Sequence, residues 1–152
     1  MRVTAKVDYA VRALVELAAA GSGTPVKAER LAASQTIPLR FLLNILGELK
    51  TAKLVESRRG SEGGYWLARP PESVSVADVI RAVEGPLADV RGVPPELLEF
   101  EGPARPLRDV WVGARGALRR VLEHVSLADV VSGALPAEVR RELDEPGAGR
   151  RR

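Results

Sequence analysis

The sequence predicts a mainly α-helical chain with one small β-hairpin. Three observations point there. Leu42, Ile45, Leu46 and Leu49 recur at three- and four-residue steps, the mark of one buried helical stripe. Two short apolar-polar alternations, Leu54 to Arg58 and Tyr65 to Ala68, flank the turn Arg59-Gly60-Ser61-Glu62-Gly63-Gly64. Finally, Leu107, Trp111, Ala114, Leu118, Val121 and Val125 step by four, three, four, three and four, an unbroken heptad seam. A helix followed directly by a basic hairpin is the layout of a winged helix-turn-helix, here with a long helix appended.

The elements follow in order. Thr4 caps a first helix whose stripe is Val7, Val11, Leu14 and Ala18, ended by Gly21-Ser22-Gly23. Val26 to Ser34 reads as a short second helix with Ala28, Leu31 and Ala32 inward, and Ser34-Gln35-Thr36 turns into the third. Pro38 suits the first turn of that third helix, where its missing N–H costs nothing. Arg40, Leu43, Asn44, Gly47, Lys50 and Thr51 occupy its opposite face. Pro70-Pro71 closes the hairpin, since neither residue continues a ladder. Ser75-Val76-Ala77-Asp78 opens a helix that ends by Gly85-Pro86, and Ser126-Leu127-Ala128-Asp129 repeats that start. Asp89 to Pro106 reads as a loop with one short turn, and Glu138 to Leu143 as one last helical turn. These divisions give a winged head over 1–71, a helical linker and dimerisation region over 72–144, and a disordered basic tail over 145–152.

Composition narrows the chemistry. The 152 residues are 45% hydrophobic but only 4% aromatic, so a core of Leu, Val and Ala is expected, with Trp66 and Trp111 as its few large pieces. No cysteine is present, which removes disulfides, thiolate zinc sites and cysteine-ligated clusters together. One histidine, His124, builds no metal site alone and reads as an interface-edge residue. The glycine run follows one strand and opens another, so it is no dinucleotide fingerprint, and no Ser/His/Asp arrangement appears. No enzyme is expected. No basic-then-apolar leader and no apolar run near the ~20 residues of a membrane span is found, so a cytoplasmic location without membrane contact is expected. Charge is split along the chain. Residues 1–69 carry eleven Lys/Arg against six Asp/Glu, a net +5, whereas 70–149 carry nine against fourteen, a net −5. A basic first half suggests that this half alone meets a polyanion.

The hairpin narrows the reading further. Leu54-Val55-x-Ser57-x-Arg59-Gly60-x-x-Gly63-Gly64-Tyr65-x-Leu67-Ala68 resembles the signature wing of the Rrf2 family of bacterial transcription regulators. The resemblance extends from Met1 to about Gly85 and includes Lys6-x-x-Tyr9-Ala10, Ile37-Pro38-x-x-Phe41-Leu42 and Ser75-Val76-Ala77-Asp78-Val79-Ile80. It implies a dimeric regulator, expected to repress, that binds a pseudo-palindromic site on double-stranded DNA. Helix 38–52 would enter the major groove and the 54–68 wing the minor groove. By the family's pattern the heptad helix crosses to a second subunit, making Leu107, Trp111, Ala114, Leu118, Val121 and Val125 the dimer seam. The same stripe has an alternative within its own chain, against the first helix and the 76–83 helix. Many relatives carry three cysteines in the loop before that helix and hold an iron–sulfur cluster. Here the corresponding 92–104 reads GVPPELLEFEGPA, so no cluster is expected and any effector is a small molecule or a protein.

Candidate contacts follow from side-chain chemistry. Arg59 at the glycine-rich tip suits a narrow, electronegative A·T minor groove. Ser57 and Gly60 would position that tip on phosphate, and Arg58 either adds a phosphate contact or is a solvated strand residue. Arg40 and Asn44 lie one turn apart, and arginine reads guanine as asparagine reads adenine; a solvated helix face is the alternative. Gln35 and Thr36 either donate to phosphate or serve only as caps. Leu43 replaces a residue often polar in relatives. With the acidic second half, it speaks for the rival reading, a winged-helix protein-interaction module that has lost DNA binding; Arg59 and the basic first half speak against it.

Overall fold

The computed structural model describes residues 2–149. Helix α1 (Ala5–Ala20) starts at Thr4, whose hydroxyl accepts the Val7 N–H at 3.2 Å. Its buried face is Val7, Ala10, Ala13, Leu14 and Leu17. Val11 and Ala18 of the expected stripe are only half-buried. The buried arc is wide because α1 is the hub of the head, touched by four other helices and the hairpin. Ala10 and Ala13, both 0% exposed, let those neighbours approach closely.

Helices α2 (Ala28–Gln35) and α3 (Leu39–Thr51) meet through Thr36, which takes a left-handed conformation (φ 53°), and the buried Ile37. Leu42, Ile45, Leu46 and Leu49 are all 0% exposed, which fixes the roll of α3. Strands β1 (Val55–Arg58) and β2 (Gly64–Leu67) pair antiparallel, with Val55 opposite Leu67 and Ser57 opposite Tyr65. One boundary differs from the expectation: Val26 does not begin the second helix. Its N–H donates to the Tyr65 carbonyl at 2.9 Å and its carbonyl accepts from the Tyr65 N–H at 2.8 Å. Val26 thus forms a one-residue third rung of the wing, because β2 otherwise presents an unpaired edge.

Helix α4 (Val76–Glu84) carries the predicted capping box, Ser75 and Asp78 exchanging bonds at 3.0 and 3.1 Å. A 22-residue connection (85–106) follows; it holds two short 3-10 turns, Pro95–Leu97 and Gly102–Ala104, where one was expected. Helix α5 (Leu107–Leu122) leads to α6 (Leu127–Ser132), whose own box joins Ser126 and Asp129. The two boxes lie side by side: the Val76 N–H donates to the Val125 carbonyl and the Leu127 N–H to the Val74 carbonyl, each at 2.9 Å. Val74, Val79, Val83 and Leu127 join the same core cluster as α1 and α3, so packing runs across residue 71 without a break. Helix α7 (Ala137–Asp144) is longer than the single turn expected. Residues 145–149 continue as an exposed turn, and the rest of the tail read as disordered lies outside the described residues.

Two expectations about large apolar residues are corrected here. The core is aliphatic, but neither tryptophan is in it. Trp66 is half-buried on the hairpin and donates its indole N–H to Glu56 at 3.1 Å across the strand pair; Trp111 is 37% exposed. An indole N–H needs a partner, and the strand edge supplies one at the surface. Val125 is not an exposed seam position either. It follows the end of α5 and is buried against the start of α4 within its own chain.

The second box and the α4–α5 junction set an acid limit. Backbone and hydroxyl hydrogen bonds from Ser126 hold the Asp129 carboxyl below its ordinary range. The Arg81 guanidinium, joined by Arg119, does the same for Glu123. Both pKa values are depressed in the folded state. Their contribution is therefore present above the unfolded values near 4 and is lost as pH falls through the folded ones. Melting temperatures followed from pH 7 to pH 3 should drop below about pH 4, and by less in Asp129→Asn. An Asp129→Asn profile parallel to wild type would exclude this linkage.

Candidate nucleic-acid interface

With one face of α3 sealed into the core, the other is fixed outward. Arg40 and Asn44 are exposed there, one turn apart, and neither bonds to another side chain among the described residues. Leu43, 43% exposed, sits between them. Phe41 turns sideways and meets the Tyr9 ring edge-on (centroids 5.7 Å apart, 81° between planes).

Gln35 is spent inside the head. Its amide donates to Glu16, and its carbonyl accepts Arg12 Nη1 at 2.8 Å. Arg12 also pairs with Asp8 at 2.9 Å and lies 4.9 Å from the centre of the Tyr9 ring. This arginine therefore ties α1 to the C-terminal end of α2, where a cation complements the unpaired carbonyls. Gln35 is therefore not a cap, the second of its two readings; its side chain is committed to α1. Thr36 beside it remains exposed. Nothing in local spacing marks Arg12 for this duty, because its partner lies 23 residues away.

The wing is braced at both ends. Lys50, in the last turn of α3, donates to the Ser57 hydroxyl at 2.7 Å, and Lys27 at the mouth of α2 donates to the Gly60 carbonyl. Arg58 folds back onto the Glu62 carbonyl at 3.2 Å. Arg59 is left exposed at the tip with no hydrogen bond or ion pair to any described residue. Three glycines make the tip possible. Gly60 has φ 103°, which side-chain-bearing residues rarely adopt. A Cβ on Gly63 would lie 2.1 Å from the Arg58 carbonyl oxygen, and one on Gly64 would lie 2.7–2.8 Å from the Val26 backbone. Gly64→Ala should therefore separate the wing from Val26 and destabilise the fold by about 1–3 kcal/mol. Denaturant unfolding measures it; an unchanged midpoint would show that the wing does not dock this way.

A third helix sealed on one face, an exposed arginine–asparagine pair on its other face and a braced hairpin with Arg59 at its tip make up a winged helix-turn-helix, and the chain's relatives define it as a DNA-binding transcriptional regulator. The family model Rrf2, described as an iron-dependent transcriptional regulator, matches residues 3–133, and the chain belongs to that family. It is 52% identical over 145 residues to a protein of Mycobacterium tuberculosis assigned as an HTH-type transcriptional regulator, covering 95% of this chain and 90% of that one. It is 33% identical over 132 residues to the HTH-type transcriptional regulator CymR of Bacillus subtilis (87% and 91% covered). Solved structures agree. The structure of CymR, the global cysteine regulator of B. subtilis, superposes with a TM-score of 0.74 at 32% identity, covering 88% of this chain and 98% of that one. IscR of T. potens gives 0.71 at 31% identity, with 88% of each covered. No helix among the described residues is long and apolar enough to cross a membrane.

The sequence has no cysteine to ligate an iron–sulfur cluster, and no three His, Cys, Asp or Glu side chains gather into a metal site among the described residues. In the 92–104 segment Glu96 pairs with Arg115, and its carbonyl accepts from Arg108 Nε and Nη2 at 3.1 and 3.0 Å. Arginine pairs hold this loop onto α5.

Proposed function

We propose that the protein binds a pseudo-palindromic operator as a homodimer and represses transcription by occupying promoter DNA. In this reading Arg40 and Asn44 read base edges in the major groove, Leu43 packs on a thymine methyl between them, and Arg59 enters the adjacent minor groove. One observation carries it. Lys27, Lys50 and Arg58 beside them are tied down as braces, whereas the side chains of Arg40, Asn44 and Arg59 are exposed and make no bonds to described residues. Ser57, Gly60 and Arg58 set the height and shape of the tip, with contacts to phosphate secondary. A gel-retardation assay with the protein's own promoter, at two salt concentrations, tests this. Retention of that DNA over unrelated duplex should persist at the higher salt, and added protein should lower transcription from the promoter. Equal retention of both DNAs at both salts would leave only non-specific charge attraction.

The donor set further supports a regulator that works without a cluster and takes a small-molecule or protein signal. Purified protein treated with iron and sulfide should remain colourless and bind its operator with unchanged affinity, because isolated carboxylates are poor ligands for an iron–sulfur core. Visible absorbance accompanied by altered DNA affinity would refute this.

A further inference from the structure

Between the end of α4 and the middle of α5 lies an open cavity of about 430 Å³, lined by Arg81, Gly85, Pro86, Leu87, Arg115 and Arg119. All three charged residues in that lining are arginines. The acids that pair with them stand outside it: Arg81 reaches Glu123 and Asp78, Arg119 reaches Glu123, and Arg115 reaches Glu96. A guanidinium carries five N–H donors in a planar fork. Arg119 uses only Nε, at 2.9 Å from Glu123, and Arg115 only Nη2. Among the described residues, the remaining donors of both have no partner. Unspent forks around a recess suit an oxyanion, which they grip through two parallel bonds.

We propose that this cavity binds a small molecule through a phosphate or carboxylate group, and that it is the site where an effector adjusts DNA binding. The proposal rests on the regulator reading above. Two contacts couple the site to the rest of the chain. Arg115 holds the side chain of Glu96 while Arg108 holds its carbonyl, so this residue pins the 95–97 turn to α5 at two points. An oxyanion on Arg115 competes with the Glu96 carboxylate and loosens the clamp. Arg81 sits on α4, which packs against α1 and α3. A ligand shared by Arg81 and Arg115 therefore bridges α5 to the body that carries Arg40 and Asn44. A DNA phosphate is the other oxyanion source. It fits less well, because the Arg115 side chain is only 17% exposed and a rigid duplex does not reach into a recess.

The test uses the full chain. Inorganic phosphate, pyrophosphate and citrate are titrated calorimetrically at ionic strength held constant with chloride. Operator affinity is read by anisotropy with and without each anion. The proteins are wild type, Arg115→Gln, Arg119→Gln and Arg119→Lys. At least one anion should bind saturably, tenfold or more weakly in each Gln variant, with Arg119→Lys intermediate because it keeps charge and loses the fork. That anion should shift the operator Kd at least threefold in wild type and leave it unmoved in the Gln variants. Phosphate and pyrophosphate acting without citrate assign a phosphate ligand; citrate alone assigns a carboxylate. Absence of saturable binding by all three overturns the proposal, as does equal binding in wild type and variants. A Gln variant that loses operator affinity in chloride alone, with its salt slope reduced by about one, would assign the arginine to the DNA backbone instead. Wild type that fails to select its operator in chloride removes the regulator reading, a failure read separately from the calorimetry.

Discussion

Leu118→Asp should turn a dimer into a monomer at micromolar concentration and cost the protein its tight binding to a two-half-site operator. Helix α5 is the reason. It is 16 residues long, and the described chain buries none of them. Leu107, Ala114, Leu118 and Val121 are half-buried or exposed, Trp111 is 37% exposed and Val110 is 57% exposed. Trp111, Ala114 and Leu118 line a groove of about 570 Å³ with Val3, Val7 and Ile80. The stripe thus leans on α1 and α4 without being covered by them, and a partner subunit's helix is the cover we propose. An aspartate in such a seam is an unpaired buried charge costing several kcal/mol, roughly 3–5 where a buried pair is broken. Each monomer then loses the effective concentration supplied by its tethered partner, a loss on the order of a hundredfold or more in operator affinity. Leu118 is a cleaner probe than Val121, which lines a crevice with Glu138, Arg141 and Glu142 of its own chain. Light scattering measures the first effect and gel retardation the second. A wild-type monomer, or a Leu118→Asp dimer that binds as wild type does, would remove the dimer.

Arg59→Ala should lower operator affinity by about 1–3 kcal/mol and relax the preference for A·T pairs where the wing lies. The tip is built to present this side chain. Gly60 turns the backbone, Lys27 holds the Gly60 carbonyl, and Arg58 closes the turn on Glu62. Arg59 receives no internal bond, so its removal leaves the hairpin intact and the loss is one of contact. Arg58→Ala provides the contrast. It removes a turn contact at 3.2 Å and should weaken all DNA sequences alike, by less. Titrations on the operator and on a variant with G·C pairs at the wing position separate the two. If Arg59→Ala retains wild-type affinity and preference, the wing is not a minor-groove reader.

Much of this protein is determined by the sequence alone, because the deciding interactions are local. The Thr4, Ser75 and Ser126 caps close within three residues, and the Leu42–Leu49 stripe follows from helical geometry. The glycines of the wing announce a turn because backbone sterics leave few alternatives at Gly60. The arginine, the asparagine and the missing cysteines can be read without any coordinates. Only the tertiary structure decided where a residue's second partner comes from. Val26 left the second helix for the edge of β2, Gln35 was taken up by Glu16 and Arg12, and Val125 was buried by the start of α4. The same packing set Lys27 and Lys50 under the wing and gathered Arg81, Arg115 and Arg119 around one recess. The hydrogen-bonded pairs among these lie between 7 and 49 residues apart, Lys50–Ser57 being the nearest and Val76–Val125 the farthest. Periodicity and capping rules reach about one turn along the chain; beyond that, packing chooses which polar group meets which.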